Sequence, residues 1–362
     1  MRPFLLKLLC FLPIPLIVMG VNYTVDPANL FSQGAYERTM ARLVLQGRHV
    51  LTSADYDDRA FIKAYMDGAT QAPEVLVIGS SRAKPIHADW FPNRTFFNQS
   101  VAGAGMQDYL AIYQLYRNKN FKPKLLIITA DPWVFNKNNE IILKDTAYER
   151  EYYQALAALR LAPLPQDEPP TNALVPEAWW EIFSLSYFQQ ALQMGWLGAK
   201  PPNPIPEATD QTLHPEYNLK LNDGSLSRNE RVRARKPVEV RALAMNDVNR
   251  KPLLRWDRFT ELDSSALTMF EAFIQTVQQD NVEIVLLLAP YYPQVYEKLS
   301  TSPDYKLITA AEAYYRQFAR EHQLTIIGSY NPAGLIADTE FYDGVHAKDD
   351  PLKRIFMQQW QK

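Results

Sequence analysis

Three observations in the sequence predict an α/β fold, a three-layer arrangement of a parallel sheet with helices on both faces. Short runs rich in β-branched and aliphatic residues recur along the chain, helical patterns separate them, and the alternation pauses once for more than a hundred residues. Strands alternating with helices favour a parallel sheet, and the pause marks a long insertion after the third strand.

The chain opens MRPFLLKLLCFLPIPLIVMGVNYTVDP, apolar from Phe4 to Val21 apart from Lys7. Lys7 lies near the basic end, where its stem can snorkel to lipid headgroups. Arg2 and Lys7 favour a cytoplasmic N-terminus and export of the rest of the chain. Residues 1–22 therefore read as a transmembrane anchor, with a cleaved signal peptide as the rival. Pro13 and Pro15 would kink a helix there.

Residues 23–72 contain no long apolar run and read as a juxtamembrane connection with a helix around Tyr36 to Gln46. The globular part, 73–362, starts at Pro73-Glu74-Val75-Leu76-Val77-Ile78-Gly79, the pattern of a buried strand. Similar runs cover Phe96 to Ser100, Lys124 to Ala130, Glu283 to Ala289 and Leu324 to Gly328. Met106, Tyr109, Leu110 and Tyr113, and later Leu267, Phe270, Ile274 and Val277, recur at helical spacing. The insertion, about 137–256, holds helical patterns at Tyr148 to Leu161 and Glu177 to Gly198. A proline-rich stretch comes next at Pro201 to Asn218, then a polar, basic one at Asp223 to Arg235. An insertion at a strand's carboxyl end falls at the sheet edge where open α/β proteins bind ligands; shaping that cleft and a merely structural excursion both remain open.

With 38 basic and 40 acidic residues, the 362-residue chain has no charge excess pointing to nucleic acid. Cys10 is the single cysteine, which excludes an internal disulfide and a cysteine-based zinc site. No His/Asp/Glu group shows metal-ligand spacing, and no cofactor motif is present.

Candidate chemistry lies at turns. Gly79-Ser80-Ser81-Arg82 comes directly after the first strand and is expected to open a helix, which would expose a serine hydroxyl above the sheet beside backbone amides. Glycine and serine are equally ordinary turn and cap residues. The turn Asn98-Gln99-Ser100-Val101-Ala102-Gly103 comes after the second strand, and its Gly103 amide is placed to donate to an oxyanion. Near the C-terminus, Asp343-Gly344-Val345-His346 is either an acidic surface turn or a carboxylate and imidazole delivered by one loop. Among the other histidines, His87 is close enough in sequence to Ser81 to be a second candidate base, although it reads mainly as a helix-surface residue.

Gly-x-Ser after strand one, Asn-x-Ser-x-x-Gly after strand two, a polar turn after strand three and Asp-x-x-His near the end resemble, in that order, the SGNH (GDSL-like) hydrolase superfamily. The resemblance covers residues 73–136 and 262–350. It implies Ser81 as nucleophile, His346 as base and Asp343 as its orienter, with no cofactor. One departure stands out: where the family's third block has Gly-x-Asn-Asp, this chain has Thr129-Ala130-Asp131-Pro132-Trp133. An ionised Asp131 would repel a developing oxyanion. Pairing with Arg82 would neutralise it, and Asn136 is a substitute donor.

Together with the N-terminal anchor, Gly-Ser-Ser-Arg and Asp-Pro resemble the membrane-anchored SGNH-like proteins of bacterial envelopes, including those of alginate O-acetylation and teichoic-acid D-alanylation. That resemblance implies an inner-membrane, single-pass protein with an extracytoplasmic acyltransferase or esterase domain. Its substrate would be a cell-surface glycan or polymer, and a multispanning membrane acyltransferase would be its partner. Two alternatives stand beside it: a catalytically silent scaffold of an envelope polysaccharide assembly, and a phosphate-binding protein using the Ser81 turn and Arg82.

Overall fold

A computed structural model describes residues 13–25, 34–52, 56–138, 147–164, 178–195, 206–250 and 258–360. The first half contains α1 (Pro13–Val25), α2 (Ala35–Leu45), β1 (His49–Thr52), α3 (Asp58–Gly68), β2 (Val75–Ile78), β3 (Phe96–Asn98), α4 (Met106–Asn118) and β4 (Leu125–Thr129). The insertion contributes α5 (Glu149–Ala158), α6 (Leu185–Gly195), β5 (Glu207–Thr209), β6 (Asn218–Lys220), β7 (Leu226–Ser227), α7 (Glu230–Arg233) and α8 (Pro237–Asn249). The chain closes with α9 (Ser264–Gln279), β8 (Glu283–Leu288), α10 (Pro293–Thr301), α11 (Leu307–Glu321), β9 (Thr325–Gly328) and α12 (Asp349–Trp360).

Five strands, in the order β3-β2-β4-β8-β9, form a wholly parallel sheet. These are the five runs read from the sequence. Successive residues of a strand point to opposite faces, yet every residue of β2 and β4 is buried, so both faces of the sheet are covered. Val75, Leu76, Val77 and Ile78 each lose all solvent contact, worth about 1.5–3 kcal/mol per side chain. From β2 the chain goes outward to β3, then reverses to β4, β8 and β9. The crevice between the carboxyl ends of β2 and β4 is therefore the switch point at which such sheets bind ligands.

Three expectations need correction. First, Gly79–Arg82 opens no α-helix; residues 81–85 form tight turns, with Ala83 N–H donating to Ser80 O and Ile86 N–H to Ala83 O. Pro85 lacks an N–H and pushes its predecessor out of helical geometry, which stops a helix there. Second, residues 23–72 are more than a connection. α2 appears where expected, but Met40, Val44, Val50, Phe61 and Ile62 join the main core. Third, Glu177–Gly198 is not one helix: a 3₁₀ segment, Ala178–Phe183, breaks at Ser184 before α6.

Within their described residues, the proline-rich and basic stretches of the insertion hold β5, the start of β6 and β7, with α7 following. A second, antiparallel sheet runs β5-β1-β6-β7, with β1 paired to both β5 and β6. The insertion is thus stitched to the segment before the parallel sheet and returns to its open edge, where Leu226 N–H donates to Lys84 O at 3.0 Å. Residues 1–12 of the expected anchor lie outside the described residues, as do parts of the insertion. Among the described residues, no helix is long and apolar enough to cross a membrane.

Candidate active site

Ser81 lies three residues beyond β2, on the turn at the switch point. Close approach of β2 to β4 requires glycine at 79, since a Cβ there would sit 1.9 Å from Thr129 Oγ1. His346 comes from a pinched loop between Phe341 and Ala347, which bridge each other, with Tyr342 N–H donating to His346 O at 2.8 Å. This loop carries Ser81's partner back across 265 residues of sequence: Ser81 Oγ stands 2.9 Å from His346 Nε2. His346 Nδ1 lies 2.9 Å from each oxygen of Asp343. A proton on Nδ1 bonds to the carboxylate and leaves Nε2 as acceptor for the Ser81 hydroxyl.

Asp343 Oδ1 also accepts the amides of Val345 and His346, each at 2.9 Å, so the turn itself orients the carboxylate. Burial works against that carboxylate, yet His346, Arg228 and the Val345 amide hold it well below the usual carboxylate range. Burial pushes the His346 imidazolium the other way, below the ordinary histidine value; Asp343 opposes this and Arg228 adds to it. The imidazole is thereby kept neutral and able to take a proton.

Backbone amides beside Ser81 are almost all committed. Ser80 N–H donates to Thr129 Oγ1, Arg82 N–H to Ser80 Oγ, Val101 N–H to Gly79 O, Ala102 N–H to Asp58 Oδ2 and Gly105 N–H to Asp108 Oδ2. Among the described residues, the Ser81 and Gly103 amides have no acceptor. Gly103 sits at φ +64°, the left-handed region that glycine enters without strain.

Arg82 and Asp131, expected as a pair, are in contact. Arg82 Nη1 lies 3.1 Å from Asp131 Oδ1, both side chains being almost completely buried. The guanidinium also donates to Ala289 O and lies over the Tyr291 ring, 3.9 Å from its centroid. Burial raises the Asp131 pKa despite Arg82's opposing pull. Asp131 is thus enclosed with Arg82 and shut off from solvent. Three tyrosines fix the turn that carries it: Tyr109, Tyr330 and Tyr315 donate to the carbonyls of Thr129, Ala130 and Asp131 in succession. The oxygen of Asn136 accepts the Asn138 amide at 3.1 Å, and its backbone bridges Leu262, which ties it to the chain entering α9.

His87 is not a helix-surface residue. Its Nδ1 lies 2.7 Å from Ser225 Oγ and its Nε2 3.6 Å from Asp349 Oδ2, and Ser225 donates to Asp223. It clasps the Ser81 turn to the insertion and to α12, away from the base's role.

Sequence reading missed two further groups. Asp58, at the start of α3, accepts from Lys84 Nζ at 2.9 and 2.6 Å and from Ala102 N–H at 2.8 Å. It joins the Ser81 turn to the Gly103 loop, and Lys220 of β6 is buried beside it. Arg228, just past β7, lies over the Tyr342 ring, 5.2 Å from its centroid, and bears electrostatically on both His346 and Asp343. No local signal marks either one, because each arrives from a strand or helix remote in sequence. Among the described residues, no cluster of three or more His, Cys, Asp or Glu side chains is placed to hold a metal ion.

No protein-family model matches the chain, and no curated protein matches it significantly.

Proposed function

We propose that the chain is an SGNH-type, extracytoplasmic serine O-acyltransferase or esterase acting on a cell-surface polysaccharide or related polymer. The single observation that carries this is the hydroxyl, imidazole and carboxylate chain Ser81-His346-Asp343, beside the two amides without an acceptor. Ser81 Oγ attacks the acyl carbonyl carbon while its proton passes to His346 Nε2. The Ser81 and Gly103 amides hold the oxyanion. Collapse expels the donor's oxygen, which takes the proton from His346, and leaves an ester on Ser81. A sugar hydroxyl, for transfer, or water, for hydrolysis, then gives its proton to His346 and attacks that ester, and His346 returns the proton to Ser81 Oγ as the acyl–oxygen bond breaks.

The apolar run Phe4 to Val21 serves as a membrane anchor in an inner membrane, with the Ser81 domain outside and a multispanning acyltransferase as acyl supplier. A scaffold role is the second reading, favoured by the loss of the third-block asparagine, whose place Asp131 takes while facing Arg82.

Labelling with a fluorophosphonate tests the enzyme reading. We expect a covalent adduct on the full chain that disappears in Ser81→Ala and falls steeply in His346→Ala, together with ester cleavage that declines in the same order. Equal cleavage by all three proteins would overturn the enzyme reading and leave the scaffold.

A further inference from the structure

The helix α1 and the insertion segment Ala178–Gly195 form a unit with its own small core. Val18 and Asn22, four residues apart and so on one face of α1, are both buried. Asn22 Nδ2 donates to the carbonyls of Glu181, Ile182 and Ser184 at 3.2, 3.0 and 3.0 Å, at the break between the 3₁₀ segment and α6. The apolar contact beneath consists of Ile182 and Tyr187 with partly buried Met19, and is separate from the main core. Four apolar side chains of the pair are buried: Val18, Ile182, Tyr187 and Ala191. Among the described residues this contact is small, and further apolar burial would hold the pair more firmly.

The outward surface supplies it. Ile14, Leu16 and Ile17 on α1 are 57%, 60% and 58% exposed, and Trp180, Phe183 and Leu185 are 74%, 52% and 69% exposed. Pro13–Val25 contains no charged residue and Ala178–Gly195 contains Glu181 alone. At about 100° per residue, α6 groups Leu185, Tyr187, Phe188, Ala191 and Leu192 on one arc, of which Tyr187 and Ala191 are buried and Leu185 is exposed, and Ser186, Gln189 and Gln190 on the other. That division suits a helix lying in an interface. Over their described residues, α1 and α6 extend about 20 and 16 Å.

We propose that Ala178–Gly195 is a second membrane-contacting element, seated in the bilayer interface beside α1. Trp180, Phe183 and Leu185 enter the acyl boundary, and Ser186, Gln189 and Gln190 face the headgroups. Lipid is the occupant because the apolar surface continues that of the N-terminal run, which extends upstream through Phe4 to the basic Arg2. The inference rests on the membrane reading of that run. The insertion that carries this element also brings β6, β7 and Arg228 close to the Ser81 turn and the His346 loop.

Full-length protein in phosphatidylethanolamine vesicles containing some phosphatidylglycerol provides the test. In a Cys10→Ser background, spin labels are placed through Leu16→Cys, Phe183→Cys, Leu185→Cys and Arg231→Cys, and collisions with oxygen and with a water-soluble nickel chelate are compared. The oxygen-to-nickel ratio is expected to be severalfold higher at 16, 183 and 185 than at 231. Nickel access at 183 and 185 with lipid exposure at 16 overturns the proposal but keeps the anchor. Shielding of 183 and 185 from both reagents means protein covers them, which also overturns it. Nickel access at 16 as well removes the anchor reading with it. An unlabelled check is quenching of tryptophan fluorescence by brominated lipid, in which Trp180→Phe should remove a strongly quenched component; no difference overturns the proposal.

Discussion

Arg82 and Asp131 form an ion pair sealed from solvent beside the candidate nucleophile, with Nη1 3.1 Å from Oδ1. Burial outweighs the attraction at Asp131, whose pKa is raised. Such a pair costs more to desolvate than its attraction returns, but a lone survivor is worse. Asp131→Ala is therefore expected to lose about 3–5 kcal/mol of unfolding free energy in urea titrations, with Arg82 left buried and unpaired. Arg82→Met with Asp131→Leu should lose less than either single change.

The acid limb of any acyl-transfer activity should reflect His346. Burial holds its pKa below 6.5, so the neutral base persists to lower pH than for a free histidine, and activity should fall only as pH drops through that lowered value. Arg228 contributes to the lowering. Arg228→Gln is expected to move the limb of the kcat/KM profile upward in pH, and an unmoved or downward limb would sink the assignment.

Lys220 is buried over the Phe61 ring, 4.7 Å from its centroid, and its pKa is pushed down to about 8 from 10.5, first by burial. The folded protein binds fewer protons than the unfolded chain between those values, so this group's penalty is fully present below pH 8 and fades toward pH 10.5. At about 1.4 kcal/mol per unit the penalty is roughly 3 kcal/mol. Lys84 still pairs with Asp58, so Lys220→Met should stabilise by about 1–3 kcal/mol at neutral pH and flatten the rise above pH 8 in chemical unfolding curves.

Two glycines near Ser81 should respond differently to alanine. Gly103 has open space around an added Cβ but a φ of +64°, so Gly103→Ala should cost about 1–2 kcal/mol through strain and lower kcat by shifting the amide. A Cβ at Gly79 meets Thr129 Oγ1 at 1.9 Å, and Gly79→Ala should cost about 2–3 kcal/mol or more through forced separation of β2 and β4. Thermal unfolding separates them, and comparable melting shifts with unchanged turnover in Gly103→Ala would count against its amide.

The amino-acid sequence determined the five parallel strands, because each holds adjacent aliphatic or aromatic residues that favour burial. It also placed Ser81, Asp343 and His346 at turns, and Arg82 and Asp131 at neighbouring strand ends, since parallel pairing of β2 with β4 brings equivalent positions together. Tertiary structure alone decided the rest. β1, β6 and β7 mix polar and apolar residues over only two to four positions, and β1 finds its partners more than 150 residues away. The Asp58 tie, the tyrosine caps on the Asp131 turn and the approach of Arg228 depend on those long-range pairings. They bring together groups that no local stretch of sequence connects, because side-chain hydrogen bonding and ion pairing act through space and not along the chain.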